Sequence, residues 1–143
     1  MKNSLITALL LIVTTTQLSA QCNKKITWTG PRLEFIDEKG EVMDTKSEEI
    51  VIVTDARQIR IVHGGQENDA MTGTIKHADC HWTKPFHSGK TVYQLELTET
   101  GGHKMNGLAT LEAKNGKIVY VLEMSDANGK KAFRVPISSW SDK

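Results

Sequence analysis

From Lys24 onward, apolar and polar residues alternate with a period of two, and no stretch holds a helical period for two turns. Ile26 and Trp28 alternate with Thr27 and Thr29 until Gly30-Pro31 interrupts. Leu33 and Phe35 resume as a second short strand, closed by the turn Asp37-Glu38-Lys39-Gly40. Residues 41–49 are polar and read as a loop or a weak strand around Val42 and Met43. Residues 49–54 and 58–63 are rich in β-branched side chains and flank Asp55-Ala56-Arg57, which predicts a hairpin. Its register stays open: a two-residue turn pairs Ile52 with Ile61, and a three-residue turn pairs Val51 with Ile61.

Residues 71–85 carry the most information per position. Met71, Gly73 and Ile75 share one parity, whereas Ala78, Cys80 and Trp82 share the other. Side chains of a strand alternate strictly between faces, so a stripe that changes parity needs one extra residue, and a bulge is predicted near Lys76-His77. A turn at residues 84–89 contains Pro85. Beyond it, Tyr93, Leu95 and Leu97 form one face of a strand, and Met105, Gly107, Ala109, Leu111 and Ala113 form one face of the next, with Leu108 the apolar exception. Asn115-Gly116 is a two-residue type I′ turn signal that pairs Ala113 with Ile118, Leu111 with Tyr120 and Ala109 with Leu122. Phe133, Val135 and Ile137 complete the pattern, Pro136 marks an edge or strand end, and a polar tail carries Trp140.

This pattern predicts an all-β fold, an antiparallel up-and-down meander of about eight to nine strands. Small inward residues at Gly73, Gly107, Ala109 and Ala113 suit a tapering small barrel better than a sandwich.

The first 20 residues stand apart from the alternation. Lys2, the apolar run 5–13 and Leu18-Ser19-Ala20 have the three-part layout of a secretory signal peptide, too short in its apolar run to span a bilayer. Cleavage after Ala20 leaves residues 21–143 as a single β domain in the periplasm or outside the cell, with no membrane span. Cys22 invites a lipoprotein reading, but Gln21 occupies the place where that processing wants a small residue. Export puts the two cysteines in an oxidising compartment, which predicts a Cys22–Cys80 disulfide rather than a thiol pair of close spacing. The 18 basic residues include Lys2, so the mature chain balances its 17 acidic ones evenly and has no clustered positive surface for nucleic acid.

Candidate chemistry is sparse. His77, Asp79 and His81 lie at alternate positions and share one strand face, about 6–7 Å apart, where they are weak candidates for a zinc or copper site with His87. The same spacing describes the wet face of an antiparallel strand. Glu96 and Glu112 are a candidate carboxylate pair on adjacent strands, both facing solvent. No hydrolase, phosphate-binding or dinucleotide motif is present, so no catalytic residue and no cofactor is assigned and the chain reads as a non-enzyme. Trp28, Trp82 and Tyr93 fall on core parity, while Trp140 either plugs a barrel end or meets a partner.

A leader, an N-terminal strand with Trp28 in Ile-Thr-Trp-Thr-Gly, a meander of strands and one disulfide together resemble the small exported lipocalin-like (calycin-type) proteins of bacteria over residues 22–137. The resemblance implies a barrel with a ligand position at its mouth, and a late arginine, here Arg134, packed on the tryptophan. The order Trp28 then Gly30 reverses the family's Gly-x-Trp. The leading expectation is thus a non-catalytic, monomeric exported β-barrel that binds a small apolar ligand or acts simply as a small envelope module, recognisable by a cavity lined by Trp28, Leu95, Leu111 and Tyr120. The alternative is a protein-binding module, such as an inhibitor of a secreted hydrolase, acting through residues 64–69 or 84–89 and recognisable by a filled core with an exposed apolar patch. Metal binding through the histidines is the third.

Overall fold

The computed structural model describes residues 22–143, and the leader sequence lies outside the described residues. Eleven strands form one antiparallel sheet: β1 (Ile26–Gly30), β2 (Leu33–Ile36), β3 (Val42–Lys46), β4 (Ile50–Thr54), β5 (Gln58–His63), β6 (Met71–Lys84), β7 (Ser88–Thr98), β8 (Lys104–Lys114), β9 (Lys117–Asp126), β10 (Gly129–Ile137) and β11 (Ser139–Ser141). The one helical element described is a single 3₁₀ turn, Glu67–Asp69, and no helix among the described residues is long and apolar enough to cross a membrane. The spatial order is β11-β1-β4-β5-β6-β7-β8-β9-β10-β2-β3.

Register follows the patterning closely. The β4–β5 hairpin pairs Ile52 with Ile61, the two-residue-turn alternative. Asn115 and Gly116 both adopt positive φ, 52° and 77°, as a type I′ turn requires, and all three predicted β8–β9 pairs form. The β6–β7 ladder slips between Ile75 and His77, so Lys76 is the extra residue that carries Cys80 and Trp82 to the inner face. A second slip between Trp82 and Lys84 has no counterpart in the sequence pattern.

One face of the sheet supplies the core. Ile26, Trp28, Ile50, Ile52, Tyr93, Leu97, Leu111, Tyr120, Leu122 and Val135 belong to a single buried cluster. No second layer of described structure covers that face, so the sheet buries it by curling on itself. Consecutive strands β1 and β2 lie near opposite ends of the order, β1 against β11 and β4, β2 against β10 and β3. Ser138 bridges the two ends, its amide and its hydroxyl both donating to the Thr29 carbonyl, at 2.8 and 3.0 Å.

The expected closed up-and-down barrel of eight to nine strands is corrected here: eleven strands stay open, with β11 and β3 at the edges, and only β4 to β10 follow one another as a meander. The reason lies at a seam where Gly30-Pro31 faces Val135-Pro136. Each proline lacks an amide donor, and a Cβ on Gly30 would meet Val135 Cγ1 and stand 2.6 Å from the Pro136 carbonyl oxygen. Residues 42–46, read as a loop or weak strand, form β3, and the polar tail contributes β11, which together raise the strand count.

Beside the seam, on the outer face, Glu34 is 5% exposed. Arg134 Nε donates to its Oε2 at 2.6 Å and Arg32 Nε to its Oε1 at 2.7 Å. Burial pushes the carboxyl up, but hydrogen bonds and charge from Arg134 and Arg32 outweigh it and leave the pKa below the ordinary 4.5. A depressed folded pKa contributes stability above the unfolded value, and that stability is lost as pH falls through the folded value. Urea unfolding as a function of pH should therefore show a destabilising acid limb below about pH 4.5, flattened in Glu34→Gln. An equal acid limb in both proteins would remove Glu34 from the account.

Candidate functional site

Four aromatic rings gather at one end of the curled sheet. Trp28 of β1 and Trp82 of β6 are buried, as their parity requires. Phe86, from the β6–β7 turn, meets Trp28 edge-on at 5.0 Å and Trp82 at 5.5 Å between ring centroids. Trp140 of β11 lies 4.8 Å from Phe86 and 6.2 Å from Trp28, yet remains 45% exposed. It thus packs over the end of the curled sheet and keeps part of its ring open to solvent. Phe86 holds φ at 51°, a left-handed conformation that a bulky residue rarely adopts, and packing on two indoles compensates for it. Sequence reading missed Phe86 because a turn residue next to proline carries no period.

Under this aromatic cap lies a small polar pocket. Trp28 Nε1 donates to Thr54 Oγ1 at 3.0 Å and Trp82 Nε1 to Thr91 Oγ1 at 2.8 Å. Burial raises the pKa of Tyr93, and hydrogen bonds with Thr91 and Thr54 work against that rise. The cavity these groups line, with Ile26, Leu111 and Phe86, has a volume of about 10 Å³, room for a single water. Trp28, Leu95, Leu111 and Tyr120, the expected walls of a ligand cavity, are packed against one another as filled core, each no more than 3% exposed. Ligand sites for organic molecules occupy hundreds of Å³.

The Tyr120 hydroxyl is buried and makes no hydrogen bond, and burial, then the proximity of Tyr93, drives its pKa upward. A buried hydroxyl without a partner carries its full desolvation cost. Tyr120→Phe should leave stability unchanged or raise it by about 1 kcal/mol in urea titrations. A loss beyond about 2 kcal/mol would mean that the hydroxyl has a partner, such as an ordered water.

The disulfide joins Cys22 to Cys80, Cα atoms 6.3 Å apart, beside the same pocket. Thr91 Oγ1 lies 3.4 Å from Cys22 Sγ and 3.9 Å from Cys80 Sγ, so one buried hydroxyl touches both sulfurs and the Trp82 indole.

The sequence-predicted metal candidates do not converge. His77 Nε2 lies 3.1 Å from Asp79 Oδ1 on the outer face of β6, His81 stands opposite Lys90 in the ladder, and His87 packs beside Gly116 at the β8–β9 turn. Among the described residues no three His, Cys, Asp or Glu side chains are arranged to hold a metal ion. Glu96 and Glu112 are not brought together either: Glu96 stands opposite Asn106 and binds Lys104 at 3.2 Å, whereas Glu112 stands opposite Lys90 and binds Lys114 at 2.9 Å. Six positions along the strand separate those two rungs, about 20 Å. Arg134 points outward to Glu34, on the face of the sheet opposite Trp28, so it does not make the stacking contact that the family resemblance implied.

A second cluster escaped sequence reading. His63 sits between Glu48 and Asp69, at 3.8 and 3.4 Å, and Arg60 pairs with Glu67, which together fasten residues 64–69 to β5. These partners are scattered in sequence and share no motif spacing. Compared with known proteins, the chain matches no family model, no curated protein and no solved structure.

Proposed function

We propose that the protein is an exported, non-catalytic module that binds another protein, for example as an inhibitor of a secreted hydrolase. The observation that carries this reading is the filled interior: every side chain expected to line a ligand cavity is core, and the pocket beside them has room for a single water at most. The larger cleft, about 380 Å³ beside Thr29, Pro31, Ser47 and Glu48, is open, lined mainly by polar residues and outside that core, so binding falls to the outer surface. Exposed apolar groups support the same reading, since Val42, Met43, Leu108 and Trp140 stand on the surface of a fold whose other large apolar residues are buried or half-buried. The disulfide suits an oxidising environment and supports export, for which the first 20 residues would be the leader. A lipocalin-like resemblance belongs to the proposal as well, supported by the up-and-down antiparallel run from β4 to β10 on one core.

Native mass spectrometry of the mature protein, purified from its own host, tests the reading. A complex with a second polypeptide is the expected result. A small apolar molecule or a metal ion in its place would overturn it in favour of a carrier or a metal-binding protein.

A further inference from the structure

Strand β3 ends the sheet, with β2 its one neighbour, and all five of its residues are exposed. An edge strand presents a row of unpaired backbone donors and acceptors, and proteins blunt such edges with proline, bulges or charge. β3 has a bulge at Met43 and charges at Asp44 and Lys46, yet it still carries Val42, 46% exposed, and Met43, 73% exposed. Three of the four exposed large hydrophobic residues among those described, Val42, Met43 and Trp140, stand on the two edge strands of the order. Trp140 has company in Phe86 and Trp28, and β11 is three residues long. β3 is the longer and barer edge.

Its charge is also one-sided. Asp37, Glu38, Glu41 and Asp44 outnumber Lys39 and Lys46 across residues 37–46. The Thr45 amide donates to Asp44 Oδ1 at 2.8 Å, so a flexible, exposed carboxylate occupies a backbone donor of the edge strand. A docking strand offers a carbonyl to that donor and frees the Asp44 carboxylate for a cation.

We propose that the open edge of β3 docks an extended segment of a partner protein, one with apolar side chains flanked by Lys or Arg, as an added strand of the sheet. This rests on the protein-binding reading above and names the surface that performs it. Backbone hydrogen bonds hold the segment, Val42 and Met43 meet its apolar side chains, and Asp44 with the acidic 37–41 turn selects its charge. A second copy of the chain fits worse, because antiparallel self-pairing centred on Asp44 sets two carboxylates opposite each other.

The test uses a displayed library of random peptides selected on the disulfide-bonded protein. Recovered peptides should alternate apolar residues with Lys or Arg, and amide resonances should shift over residues 42–46 on binding. Thr45→Pro removes the edge donor and should weaken those peptides about tenfold or more, while thermal unfolding stays as in the parent. Where that variant loses its fold, Met43→Lys carries the test by setting a like charge against a basic segment, with the same loss expected. Peptides that bind both variants as tightly as the parent, or an unenriched library, overturn the proposal. So does concentration-dependent dimerisation in sedimentation that Met43→Lys abolishes, which would make a second copy the occupant. A host polypeptide that holds Thr45→Pro and Met43→Lys as tightly as the parent removes β3 from the account but leaves the protein-binding reading standing; a small apolar ligand or a metal ion on the native protein removes that reading itself.

Discussion

Replacing both cysteines, Cys22→Ala with Cys80→Ala, should lower the unfolding free energy by about 4 kcal/mol. The two residues are 58 positions apart, and the loop between them contains β1 to β5 and most of β6. Cross-linking so long a loop removes much of the freedom of the unfolded chain, and the loss grows with the logarithm of loop length. Cys22 precedes the first strand, so the bond is also the main anchor of the residues leading into β1. A domain of this size has only about 5–15 kcal/mol in total. Urea titration of the double variant, alongside the parent with and without a dithiol reductant, measures the effect. The reduced parent should match the variant, and a midpoint common to all three would show that the strands hold the N-terminus unaided.

Trp28→Ala should cost about 3–5 kcal/mol, enough with any second lesion to abolish folding. Trp28 is 1% exposed, lies between β4 and β11, and touches Phe86 and Trp140. Truncation opens a cavity under the aromatic cap and leaves the buried Thr54 hydroxyl without its indole donor. Phe86 also loses one of the rings that hold its left-handed backbone in place. Trp28→Phe keeps most of the ring area and drops the Nε1 donor, so its cost should fall to about 1–2 kcal/mol. Near-ultraviolet circular dichroism and urea unfolding separate the two variants. Equal costs would assign the energy to the hydrogen bond rather than to packing.

Parity decided what was legible in the sequence. Wherever apolar residues alternated against a turn of known geometry, as at Asn115-Gly116, the pairing followed to the residue. The bulge at Lys76 was visible because Ile75 and Ala78 break step. Two things were not visible. Phe86 reaches the aromatic end through a turn, where no period links a residue to a face. The openness of the sheet depends on Gly30-Pro31 standing against Val135-Pro136, a contact between residues about a hundred positions apart that local patterning does not encode. The candidate site fared worse for a related reason. His77, Asp79 and His81 were placed correctly on one outward face, but a shared face is not convergence, and the ladder set His81 opposite a lysine. The β3 edge was hidden for the opposite reason: residues 41–49 look featureless until their lack of a second neighbour is known.

The run from β1 into β2 touches both the middle and the very end of the chain. Thr29 receives Ser138 across 109 positions, and Glu34 receives Arg134 across 100. Such contacts form late, because a long loop must close before either is rewarded. When the chain begins to fold, the first strands therefore lack half of the neighbours they will finally have. Hairpins such as β4–β5 and β8–β9 can assemble from neighbouring residues, whereas Trp28 waits for Trp140, more than a hundred positions later. Until β11 pairs with it, the earliest strand has β4 as its one neighbour and an unpaired edge open to whatever protease or chaperone is near.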